Sequence, residues 1–149
     1  AGFLFIPSKA SLAVVELEVG LESRRISKAY DALEKAGKEI DPILPHMAQG
    51  RTVPDLAGAV WKAQSRVEYA IALLKLHLKT ENPGTLFKKE VIPPNLELKE
   101  TIVEASDHLA SALKKIKEGD YMGGLNEARK ARGSLRRLLA HFRKSKPLL

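Results

Sequence analysis

The residues best suited to chemistry in this sequence are paired cations near its end. Lys and Arg form dibasic pairs at positions 129–130, 136–137 and 143–144, so the pairs recur every seven residues. Seven residues make two turns of an α-helix, about 10.5 Å of rise, and the pairs would therefore stack along one side. Guanidinium groups bind phosphate oxygens bidentately, and a row of them on a rigid helix can follow a polyanion. The spacing predicts a phosphate-binding surface.

The positive charge of the chain is concentrated in this segment. Residues 129–146 contain eight Lys or Arg and no Asp or Glu, and subtracting this +8 from the net charge of +7 leaves −1 for the other residues. We predict that the segment binds nucleic acid, because each neutralised phosphate adds a salt-dependent increment of affinity. A solvated or partner-facing surface is the alternative. The predicted contact residues are Arg129, Lys130, Arg132, Arg136, Arg137, Arg143, Lys144 and Lys146.

Other residues of chemical interest lack partners at a useful spacing. Glu104, Asp107 and His108 would share one helix face, but a metal site in a helical bundle needs a second such element, which the sequence does not supply. The chain has no Cys, which excludes disulfides, thiol catalysis and thiolate metal ligands. Gly-rich phosphate loops and nucleophile motifs are also missing. We therefore expect no catalytic residue, no metal and no cofactor.

Apolar residues at intervals of three and four predict four amphipathic helices, over approximately residues 8–40, 52–81, 95–119 and 120–146. Thr52, Asn95 and Asp120 are the predicted N-caps, and residues 42–51 are predicted to be a loop. The stripes expected to form the core include Leu33, Ile40, Val67, Leu74, Leu109, Ile116, Leu135 and Leu138. Four such helices without strand-like alternation predict an all-α four-helix bundle with a long first helix, in one domain covering residues 1–149.

The N-terminal residues 1–7 form a short apolar hook before the first helix. Its hydrophobic residues Phe3, Leu4, Phe5 and Ile6 are predicted to contact a neighbouring subunit, and packing onto their own bundle is the alternative. No apolar run approaches the ~18–20 residues of a membrane span, and the hook lacks the basic start of a signal peptide. We expect a cytoplasmic or virion protein. The low Asn and Gln content is typical of a thermophile.

The few aromatic residues lie mostly in or near the predicted apolar stripes. This placement argues against a surface that stacks single-stranded bases, and it favours duplex DNA as the partner. A small, basic, Cys-free helical chain with an apolar N-terminal hook resembles, in architecture, the coat proteins of filamentous archaeal DNA viruses. The resemblance implies a non-enzymatic structural protein that packages duplex DNA without sequence readout and self-associates into an oligomer or filament.

A second resemblance rests on a short motif. Arg136 and His141 form an R-x4-H motif in a helix that follows Gly119, Asp120 and Tyr121. This arrangement resembles the HEPN family of small helical domains, many of which are dimeric ribonucleases. The resemblance implies that Arg136 clamps phosphate and that His141 is the acid–base group. An RNA-cleaving domain is thus one alternative function, and an adaptor that binds an acidic protein is another.

Overall fold

The computed structural model describes residues 9–79 and 96–145, with side chains described for residues 23–79 and 96–144. Five helices cover most of these residues, and no strand occurs among them. They are α1 (Lys9–Ile40), α2 (Ile43–Ala48), α3 (Leu56–Leu78), α4 (Leu98–Lys117) and α5 (Tyr121–Ser145). The predicted all-α four-helix bundle with a long first helix is confirmed. The predicted contact residues Phe3, Leu4, Phe5, Ile6 and Lys146 lie outside the described residues.

The four long helices are arranged so that α3 and α4 each pack against both α1 and α5. Neighbouring helices are antiparallel. Glu68 in the middle of α3 meets Arg136 of α5, while His77 at the end of α3 lies beside Tyr121 at the start of α5. Similar pairs join α4 to α5 and α4 to α1. The outward face of α3 therefore lies between α1 on one side and α5 on the other.

The predicted apolar stripes form the core. All eight representative stripe residues named from the sequence are buried, including Leu33 and Leu74 at 0% exposure and Ile116 at 5%. Burial of a large aliphatic side chain contributes about 1.5–3 kcal/mol relative to leaving it in water. The described core therefore needs no metal or disulfide to hold the four long helices together.

Two predictions about helix ends are wrong. Residues 42–51 are not all loop, because Ile43–Ala48 forms α2, and Ile43 is buried against the core. Pro45 lies in the first turn of α2, where proline is tolerated because its missing N–H would have no partner within the helix. Thr52 does not cap the next helix. Asp55 does so, and its side-chain Oδ1 accepts a hydrogen bond from the Gly58 N–H at 3.2 Å.

The predicted cap at Asp120 is confirmed and sets the turn between α4 and α5. Its side-chain Oδ1 accepts a hydrogen bond from the Gly123 N–H at 2.9 Å. Gly119 just before it has a φ of +83°, a left-handed conformation that suits glycine at the end of a helix. At Gly124, a Cβ atom would lie 2.7 Å from Cγ1 of Ile116. This close approach brings the start of α5 directly against the end of α4.

Candidate nucleic-acid interface

The cations of α5 contact acidic side chains of both neighbouring helices. Toward α3, Arg136 Nη2 donates a hydrogen bond to Glu68 Oε1 at 2.9 Å, and Arg132 Nη1 lies 3.6 Å from Glu68 Oε2. Toward α4, Arg137 Nη2 donates to Glu104 Oε2 at 3.3 Å. Acidic residues of other helices therefore compensate part of this row of cations, although residues 129–146 themselves contain no Asp or Glu. Acidic partners from α3 and α4 pair with both members of the 136–137 dibasic unit.

Glu68 is surrounded by more positive charge than it can neutralise. Lys75 of α3 and Arg132 and Arg136 of α5 lie around this one carboxylate, and we call these three residues the cation cluster. Burial lowers the pKa of Lys75, and repulsion from Arg129 and Arg132 lowers it further. Burial likewise lowers the pKa of Arg132, with added repulsion from Arg136 and Arg129. Three cations around one anion leave an excess of two positive charges.

The remaining predicted contacts are more open to solvent. Arg143 and Lys144 are exposed in the last turn of α5. The Lys130 side chain is 60% exposed, although its Nζ lies 3.4 Å from Glu127 Oε1. These three cations could reach a polyanion without displacing any contact between helices. They extend the positive surface toward the end of α5.

Glu104 and His108 of α4 contact acidic or basic side chains of α5. His108 Nδ1 lies 2.9 Å from Glu127 Oε2, and this hydrogen bond is the largest cause of a lowered pKa at Glu127. Glu104 pairs with Arg137, whereas Asp107 is exposed. Among the side chains described for residues 23–79 and 96–144, no three His, Cys, Asp or Glu come together as metal ligands.

The Arg136 and His141 side chains do not share one face of α5. They are five positions apart, which corresponds to about 140° around a helix. Arg136 hydrogen-bonds to α3, while the His141 ring stacks edge-on against Phe142 with 6.1 Å between ring centroids. One phosphate group could not readily meet both side chains of the same chain. Within one chain, the two side chains of the R-x4-H motif therefore point to different sides of α5.

A second cationic surface, which sequence reasoning missed, lies between α1 and α3. It is a groove of about 510 Å³, which we call the α1–α3 groove, lined by Lys28, Asp31, Ala32, Lys35, Trp61, Lys62, Ser65, Arg66 and Tyr69. Trp61 is 60% exposed and Tyr69 is 50% exposed. The expectation that aromatics lie in or near the apolar stripes is wrong for these two residues. Their positions could have been found, because neither falls on the apolar stripe of α3.

None of the described helices is both long enough and apolar enough to span a membrane. Comparisons of the chain with protein-family models, with curated proteins and with solved structures find no match. The resemblances to viral coat proteins and to HEPN domains therefore stay predictions. The surface features that bear on function are the cation cluster, the exposed end of α5 and the α1–α3 groove.

Proposed function

We propose that this protein is a non-enzymatic, sequence-independent nucleic-acid-binding protein whose cation cluster contacts the phosphate backbone. The observation that supports this function is the excess of two positive charges around Glu68. Cations held close together at the partly buried contact between α3 and α5 repel one another, and an approaching polyanion relieves that repulsion. Arginine is also the side chain best matched to phosphate, because its planar fork donates two parallel hydrogen bonds.

The binding would position the nucleic acid without reading its sequence. Contacts from Arg and Lys to phosphate fix the register of a complex, whereas sequence is read at base edges. The exposed cations Lys130, Arg143 and Lys144 would extend the contact along the same helix. Self-association into an oligomer or a filament that packages nucleic acid remains a prediction, because the hook expected to mediate it lies outside the described residues.

Glu68→Gln provides a direct test of the cation cluster. The substitution removes the carboxylate that competes with phosphate, and affinity should rise about threefold at low salt, since unit charges about 6 Å apart in water repel by roughly 0.7 kcal/mol. Binding is measured by fluorescence anisotropy of a labelled oligonucleotide. The matched control is Glu118→Gln at the exposed end of α4, which changes the net charge equally. An increase no larger than that of the control would contradict a phosphate contact at the cation cluster.

A further inference from the structure

Two exposed aromatic side chains lie along the outward face of α3. Trp61 and Tyr69 are eight positions apart, with Ser65 midway, so they project from one side of the helix. About 12 Å of helix rise separates the two positions. Large aromatic rings are usually at least partly covered in folded proteins, and they are enriched at binding surfaces. Their exposure on a regular helix indicates a surface that meets a ligand.

Cations border both rings in the α1–α3 groove. Lys28 and Lys35 line it from α1, and Lys62 and Arg66 line it from α3, against the single carboxylate of Asp31. Lys35 Nζ forms an ion pair with Asp31 Oδ2 at 3.0 Å, which neutralises that carboxylate. The described contacts include no ion pair for Lys28 or Lys62. The groove is therefore positive as well as aromatic, which favours an anionic ligand that carries flat rings.

Arg66 offers a hydrogen-bond donor that the described residues leave unsatisfied. Its Nη2 donates to Glu39 Oε1 at a distance of 3.5 Å, a long contact, while its Nε is buried without a hydrogen-bond partner. A buried donor without an acceptor is destabilising. The Arg66 side chain is 40% exposed overall, so a turn of its guanidinium toward the groove would let this donor reach a phosphate or base oxygen there.

We infer, on the premise that the protein binds nucleic acid, that the α1–α3 groove stacks unpaired bases of a single strand against Trp61 and Tyr69. Every nucleobase has an aromatic face, so such stacking tolerates any sequence. The flanking cations Lys28 and Lys62 pair with phosphates of the same strand. A groove of about 510 Å³ lies within the usual range for ligand pockets.

A single strand fits these features better than a duplex does. Bases in a duplex are already stacked, about 3.4 Å apart along each strand, and their faces are not available to a protein ring. The two rings are roughly 12 Å apart along α3, so each would contact a separate base of an unstacked strand. An acidic peptide would match the charge but would not use both exposed rings as stacking surfaces.

Trp61 is the only tryptophan of the chain and reports directly on this site. We would titrate the full chain with a thymidine oligonucleotide of about twelve nucleotides, an abasic strand of equal length and poly-glutamate. Trp61 emission reports the groove, and anisotropy of labelled strands reports total binding. We expect quenching by the thymidine strand only, and weaker binding of the abasic strand, because that strand keeps the phosphates but has no bases.

Substitutions separate stacking from other contributions to affinity. Trp61→Leu and Tyr69→Leu should each weaken binding of the thymidine strand roughly tenfold, the cost of one lost base stack. Trp61→Phe and Tyr69→Phe keep a ring and should retain most of the affinity. Lys62→Gln should weaken binding of both strands, whereas Lys114→Gln on the exposed face of α4 should not. Because these side chains are exposed, the variants should fold normally.

Three results would overturn the inference. Equal binding of the abasic and thymidine strands, with Trp61 emission unchanged, would reject stacking while leaving phosphate binding by the cation cluster in place. Equal quenching by poly-glutamate would show that the groove recognises charge alone. If neither a single strand nor a duplex bound at any salt concentration, the proposed function and this inference would both fail.

Discussion

Arg136 Nη2 donates a hydrogen bond to Glu68 Oε1 at 2.9 Å, and this contact joins the basic helix α5 to α3. It makes the same carboxylate a structural partner of α5 and a competitor for phosphate. Where α5 packs against α3, the cations around Glu68 therefore carry more positive charge than this one carboxylate neutralises. The paired part should affect stability, while the excess charge should affect binding.

The dibasic unit at 136–137 should contribute to stability. Its two side chains contact acids on different neighbouring helices, and partly exposed ion pairs contribute about 0–1 kcal/mol each. Arg136→Ala combined with Arg137→Ala should lower the melting temperature by about 2–4 °C for each kcal/mol lost, with helix content retained. A solvated surface, the alternative that the sequence left open for these cations, predicts no such effect.

The matched control is Arg143→Ala combined with Lys144→Ala, which removes the same charge from exposed positions in the last turn of α5. Its melting temperature should stay close to that of the unmodified chain. Differential scanning calorimetry distinguishes the two variants. If both double variants melted at the same temperature, the ion pairs from α5 to α3 and α4 would contribute nothing measurable to stability.

The close approach of α4 and α5 should make Gly124→Ala destabilising. The added Cβ atom would lie 2.7 Å from Ile116 Cγ1 and 3.4 Å from the Ala112 carbonyl oxygen. Such overpacking costs about 1–3 kcal/mol, which offsets or exceeds the ~1 kcal/mol that alanine gains over glycine in a helix. Gly37→Ala is the control, since its Cβ would meet only Asp41 Oδ2 at 3.7 Å. Urea unfolding should show a loss for the first variant and a gain of about 0.5–1 kcal/mol for the second.

The apolar stripes of the four long helices could be predicted because each follows from helical periodicity alone. The partners of the α5 cations could not. Glu68 and Glu104 lie 68 and 33 residues before Arg136 and Arg137, and no local pattern indicates which helices are neighbours. Pairing across the bundle depends on the order of packing, so a run of cations looks uncompensated in the sequence even where the fold compensates it.

The α1–α3 groove could not be predicted from the sequence for a different reason. Trp61 directly follows the buried Val60, and Tyr69 lies two residues after the buried Val67, so neither belongs to the apolar stripe of α3. The period of 3.6 therefore places both rings outside the core. Their proximity to Lys28 and Lys35 depends on the packing of α1 against α3, which the sequence pattern does not specify.

The contact between His108 and Glu127 should make stability sensitive to acid. The hydrogen bond from His108 is the largest cause of the lowered pKa of Glu127, whose ordinary value is 4.5. A carboxyl with a depressed pKa contributes stability that is fully present above its unfolded value and is lost as the pH falls through its folded value. Glu127→Gln should therefore flatten the decrease in stability below about pH 4.5.

His108→Leu tests the same contact from the other side. The substitution removes the donor that lowers the Glu127 pKa. The free energy of unfolding of this variant should therefore also fall less steeply at acid pH than that of the unmodified chain. Urea unfolding between pH of about 7 and about 3 measures all three proteins. If the free energy of unfolding fell equally steeply with pH in all three proteins below the ordinary pKa of glutamate, a stabilising role for the His108–Glu127 pair would be contradicted.

His141 should have no catalytic role. It lies about 140° around α5 from Arg136, so His141→Ala should leave nucleic-acid affinity nearly unchanged. We expect no cleavage of RNA by the unmodified chain when labelled RNA is followed on denaturing gels. Metal-independent cleavage that His141→Ala abolishes would contradict the non-enzymatic function and would support a HEPN-like ribonuclease.

The salt dependence of binding tests the central claim most directly. Each phosphate contact contributes about 0.9 to the slope of log affinity against log salt for duplex DNA and about 0.7 for single strands. Arg132→Gln combined with Arg136→Gln should therefore flatten the slope by up to about 1.8 or about 1.4, respectively, and similarly for unrelated sequences. Lys99→Gln combined with Lys114→Gln, on exposed positions of α4, should leave the slope nearly unchanged. A slope that is the same in both doubles, with the fold intact by circular dichroism, would contradict phosphate binding by the cation cluster.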